Sequence, residues 1–164
     1  MKLNRIALFS VAFALLLLTV TPAFGCQYGK VTGGGQCVVG DNQEIPSASF
    51  GFNAMWFTRD PTPKGELDYV DHLTGMHVHI HDLVFLIVWE DLPGNKPWPL
   101  MKAAFNGPCT IDGVGGHYAW VYVEDNGEPG TKDKFEIRLD TGYVGGSNSA
   151  EILAGNIQIH KPPA

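Results

Sequence analysis

Three histidines at alternate positions, His77, His79 and His81, follow closely on two acidic residues at the same spacing, Glu66 and Asp68. In an extended chain, side chains two apart share a face with roughly 7 Å between their Cα atoms, so two imidazoles can reach one ion. Zinc or copper suits such nitrogen ligands, with a facing carboxylate to complete or orient the shell. A solvated face on which carboxylates pair with partly protonated imidazoles needs no metal and is the plainer reading.

The residues between these groups decide which face they occupy. Gly65 to Asp71, the turn His72-Leu73-Thr74-Gly75, and Met76 to His81 read as a β-hairpin. Pairing Asp71 with Met76 sets Tyr69 opposite Val78 and Leu67 opposite Ile80, which makes one face apolar. Glu66, Asp68, His77, His79 and His81 then gather on the other face. A slip of one residue would put histidines beside Leu67 and Tyr69, so the hydrophobic pattern selects the first register.

Other groups carry weaker chemistry. Asp125, Glu128 and Asp133 form an acidic loop whose oxygens could hold calcium, but their spacing is not that of a helix-loop-helix site. A tight turn with Gly127 and Gly130 at positive φ accounts for most of that loop. Cys26, Cys37 and Cys109 are an odd number, and Cys37 to Cys109 is the preferred disulfide, closing a loop of about 70 residues. Pairing of Cys26 with Cys37 is the competitor. His117 and His160 have no partner legible in the sequence. No Gly-x-Ser-x-Gly, phosphate-binding glycine loop or dinucleotide fingerprint occurs, so a non-enzymatic binding or structural module is expected. The alternative is a metal-binding periplasmic protein built on the histidine strand.

The elements that position these residues are strands. After residue 25 no stretch has apolar residues at helical spacing with caps, whereas period-two alternation recurs between glycine-rich turns. Strands are predicted over 30–39, 48–58, 65–71, 76–90, 101–112, 117–124, 134–140 and 150–160, with Gly107 and Pro108 interrupting the fifth. In 117–124, Ala119, Val121 and Val123 alternate with Tyr118, Trp120 and Tyr122, which suggests a central strand covered on both faces. The fold class is all-β, an antiparallel two-sheet sandwich or squat barrel in a single domain over 26–164.

Lys2 and Arg5 precede an apolar run from Ile6 to Val20 that ends in small residues at Ala23 and Gly25. Residues 1–25 thus read as a signal peptide, and a secreted, periplasmic or cell-surface location follows. Membrane attachment would come only from an uncleaved anchor or a lipid on Cys26, which lacks the preceding residues usual for lipidation. Removing Lys2 and Arg5 from 11 basic and 17 acidic residues changes the net charge from −6 to −8, which argues against nucleic acid. An envelope or extracellular protein or a glycan is the partner class that remains. Trp56, Trp89, Trp98 and Trp120 are candidate contact groups, and Trp98 stands out because Pro97 and Pro99 flank it.

Several segments, taken in order, resemble the post-COAP domain of bacterial secreted proteins: Lys30-Val31-Thr32-Gly33-Gly34-Gly35, Phe50-Gly51-Phe52-Asn53-Ala54, Pro63-Lys64-Gly65-Glu66-Leu67, Asp125-Asn126-Gly127-Glu128-Pro129-Gly130 and Gly155-Asn156-Ile157-Gln158-Ile159-His160. The resemblance implies a small extracellular β domain, with no catalytic residues to carry over. The three cysteines and the histidine strand depart from that pattern.

Overall fold

The alternating pattern produces strands throughout the computed structural model, which describes residues 28–39, 47–91, 100–147 and 150–160. The expected signal peptide, Cys26 and Trp98 lie outside the described residues. Among the described residues ten strands follow in chain order: β1 (Gly29–Cys37), β2 (Ala48–Trp56), β3 (Lys64–Asp71), β4 (His77–Ile80), β5 (Phe85–Asp91), β6 (Leu100–Ile111), β7 (Val114–Asp125), β8 (Lys134–Leu139), β9 (Val144–Gly146) and β10 (Ala154–His160). All belong to one antiparallel sheet, ordered β10-β1-β2-β3-β4-β6-β7-β8-β9, with β5 also paired to β6. The class is all-β and antiparallel as expected; of the two predicted forms, sandwich and squat barrel, neither is complete, and one strongly curled sheet makes a half-barrel.

The curl brings strands that are distant in that order face to face. Phe50 on β2 stacks on Phe135 on β8 with ring centroids 3.9 Å apart, and Phe52 tilts against Phe105 on β6 at 5.2 Å. Inward residues of every long strand join this core: Val31, Leu67, Tyr69, Val88, Val123 and Ile157 are each 0 % exposed. Burying side chains of this size contributes about 1.5–3 kcal/mol apiece, which is why the alternation fixes the register.

The predicted strand over 76–90 breaks in two. At the break the Asp82 carbonyl passes directly over Gly107, where a Cβ would collide with it. The long strand β6 pairs β5 from Leu100 to Asn106 and β4 from Cys109 to Ile111. Pro108 falls in the interval between the two partners, where its missing N–H leaves no ladder bond unmade. At the far end of β6, Asp112 (φ 51°) and Gly113 (φ 80°) form a two-residue turn into β7 whose twist suits an antiparallel pair.

Strand β10 ends the sheet, and its outward amides would be a bare edge. Carboxylates take them instead. The Ile157 N–H donates to Asp133 Oδ2 at 2.7 Å, and the Ile159 N–H donates to Asp125 Oδ2 at 3.0 Å. The remaining oxygens of the two side chains accept the Asn126 N–H at 2.8 Å and the Gly127 N–H at 3.1 Å. Beside them Glu128 Oε1 accepts the side-chain amides of Asn156 and Gln158 at 3.0 and 3.2 Å. The loop after β7 therefore clasps β10 in place of a neighbouring strand.

Asp133 is completely buried, and burial pushes its carboxyl up to about 6 even though two backbone amides pull the other way; Asp125 and Glu128 add to the rise. Replacing it orphans the Asn126 and Ile157 amides, so Asp133→Ala is expected to lower unfolding stability by about 2–4 kcal/mol in urea titrations. A carboxyl whose folded value is raised stabilises most below its unfolded value and loses that contribution as pH rises through the folded one. The gap between wild type and Asp133→Ala should accordingly narrow from pH 4 towards pH 7; a gap that widens would contradict the burial argument.

Candidate functional site

The hairpin of β3 and β4 has the predicted register. Leu67 faces Ile80, Asp68 faces His79 and Tyr69 faces Val78, and the Asp71 N–H donates to the Met76 carbonyl at 2.9 Å. The turn is held by Asp71, whose Oδ1 accepts the Leu73 N–H at 2.8 Å while its Oδ2 accepts the Tyr143 hydroxyl at 3.1 Å. Tyr143 also meets the Tyr69 hydroxyl at 2.8 Å, so the loop before β9 is tied to the hairpin through buried groups.

On the outer face of this hairpin both His77 Nε2 and His79 Nδ1 hydrogen-bond to the same oxygen, Asp68 Oδ1, at 3.0 and 2.9 Å. Burial raises the Asp68 carboxyl, but the bonds from His79 and His77 outweigh it and hold it below its ordinary value. His81 turns to Asp82 Oδ2 at 2.8 Å, and Glu66 accepts the Asn53 amide at 3.2 Å. The five residues share a face but do not converge. Among the described residues no three His, Cys, Asp or Glu side chains form a group able to hold a metal ion. The histidine strand forms a row of imidazole–carboxylate pairs in which Asp68 is the common partner of His77 and His79 and Asp82 is the partner of His81.

In the acidic loop proposed for calcium, Asp125, Glu128 and Asp133 each give an oxygen to the β10 clasp. Gly130 is glycine for packing rather than for a positive φ, since a Cβ there would strike the Asn156 side chain. His117 has a partner after all, Asp140 Oδ1 at 3.3 Å, while His160 is exposed at the end of β10.

Cys37 and Cys109 are both buried and free, so the expected disulfide is not formed. They sit four places apart in the strand order. The register aligns Cys109 through Ile80, Leu67 and Phe52 with Gly33, which leaves Cys37 farther along β1. A bridge needs Cα atoms within about 7 Å.

No family model, curated protein or solved structure matches this chain. The geometry must speak for itself, and it points away from the hairpin to the outer face of β5, β6 and β7. On β7 Ala119, Val121 and Val123 face the core, and Tyr118, Trp120 and Tyr122 face outward. The strand is central, as its pattern predicted, because it pairs both β6 and β8. Its outer face is not covered: Trp120 is 46 % exposed. Neighbouring strands extend the patch, since Phe85 and Trp89 on β5 point the same way and Trp89 lies 6.0 Å from the Tyr122 ring. Tyr118 and Trp120 tilt together at 4.8 Å.

Of the tryptophans singled out in the sequence, Trp120 and Trp89 thus belong to this patch. Trp56 instead packs edge-on to Tyr28 and donates to the Asp60 carbonyl at 3.1 Å. Asn106 and Phe85 escaped the sequence reading, and Tyr118 was read there only as part of a covered face, although an aromatic residue at each of three successive outward positions of β7 was a legible signal.

Burial pushes the Cys37 thiol up to about 12, with Asp71 adding, and the Cys109 thiol up to about 11, with Asp140 adding. Buried thiols held protonated do not act as nucleophiles. Alkylation followed by peptide mass spectrometry should leave both unmodified in the native protein and label both in urea without reductant. Labelling that requires reductant would restore the bridge.

Proposed function

We propose that this chain is an exported, non-enzymatic binding domain of the cell envelope or extracellular space that holds its ligand on the outer face of β5–β7. The observation that carries the reading is the outward exposure of Trp120 and Phe85, 46 % and 37 %, on strands whose inward residues already fill the core. Side chains of this kind on water-facing strands add little to folding, and contiguous exposed apolar surface is characteristic of interaction sites. Export is supported by the basic start, the apolar run and the small residues before Cys26. The resemblance to the post-COAP domain points the same way, to a small extracellular β module.

Trp120→Ala should leave the unfolding midpoint in urea nearly unchanged, within about 0.5 kcal/mol, because the residue is outside the core. The same variant should lose co-sedimentation with isolated cell envelopes of the organism that encodes the protein, whereas the wild-type mature chain should pellet. Equal pelleting of the two, or no pelleting of either, contradicts the reading.

A further inference from the structure

We propose that the ligand of this face is a neutral, hydroxyl-rich polysaccharide, an inference that rests on the face being the binding surface. One row across the sheet runs Phe85, Asn106, Trp120, Arg138 in register on β5, β6, β7 and β8. An amide therefore lies between two exposed rings. A sugar ring offers an apolar C–H face that packs on aromatic rings and a rim of hydroxyls that must find hydrogen-bond partners.

Asn106 supplies such a partner in a fixed orientation. The Tyr118 hydroxyl donates to Asn106 Oδ1 at 2.8 Å, which engages the amide through its oxygen and keeps the two N–H donors on the nitrogen. Tyr118 in turn leans on Trp120, which couples the ring that would stack to the amide that would donate. The arrangement is set by protein contacts before any ligand arrives, and such preorganisation lowers the cost of binding.

The charges around the patch decide the class of polymer. Lys102 and Lys134 both pair with Glu124 at 3.5 and 3.4 Å, and Arg138 pairs with Glu136 at 2.6 Å. A polyanion needs unpaired cations and a polycation needs unpaired carboxylates; this rim offers its charges already matched. The chain's net charge of −6 opposes a polyanion further. Hydroxyls can be served by these paired side chains without breaking them. A protein partner is the other class, and the test separates it.

The test is affinity electrophoresis of the mature chain in gels containing hydroxyethylcellulose, laminarin, xylan or galactomannan as neutral polymers, with alginate and chitosan as charged ones. At least one neutral gel should retard the wild type, and added salt should not abolish the retardation. Trp120→Ala and Asn106→Leu should each weaken that binding by about tenfold or more, equivalent to about 1.4 kcal/mol. Trp120→Phe should keep part of it, and an unchanged unfolding midpoint excludes loss of fold as the cause. Retardation only by alginate or chitosan, or binding removed by salt, overturns the neutral class. Envelope pelleting that persists after periodate destroys the glycans, with no neutral gel active, assigns a protein partner and overturns the inference while leaving the binding domain intact. Absence of both pelleting and retardation overturns both.

Discussion

The pleat of β7 sends Ala119, Val121 and Val123 into the core and Tyr118, Trp120 and Tyr122 out of it. Successive side chains on a strand cannot share a face, so the aromatic patch and the core are two consequences of one backbone. The inner half is completed by rings from opposite sides of the curl, such as Phe50 against Phe135. Because the core closes without them, Trp120 and Phe85 are available to a ligand. Had a second sheet packed on β5–β7, the same residues would be buried and the proposed function would have no surface to act through.

The single curled sheet has to end somewhere, and it ends at β10 on carboxylates. Asp133 is fully buried and takes amides from its own loop and from Ile157 on the edge strand. Burying a carboxylate is costly unless donors surround it, and here the backbone provides them. The Asp71, Tyr143 and Tyr69 network does a related job elsewhere, tying the hairpin turn to the loop before β9. Both devices use polar groups to hold segments that no ladder reaches.

What the sequence made legible was local. The hairpin register followed from a short turn and two facing apolar pairs, Leu67 with Ile80 and Tyr69 with Val78, and the structure reproduces it. Contacts set by sheet order were not legible. Asp125 and Asp133 resemble cation ligands until β10 arrives from 34 and 24 residues away to supply its amides. Cys37 and Cys109 look like a bridge until the strand order places them four apart. The outer face of β7 read as covered because alternation reveals two faces without telling what lies over each. The clustered histidines drew notice by spacing alone, yet one carboxylate, Asp68, satisfies two of them.

Hydroxyl-radical footprinting of the protein bound to cell envelopes, compared with the free protein, tests the location of the binding face without presuming the ligand. Oxidation of Trp120, Tyr118 and Phe85 should fall on binding, while that of His77 and His79 should not change. Protection centred on the histidine hairpin, with Trp120 oxidised as before, would contradict the account.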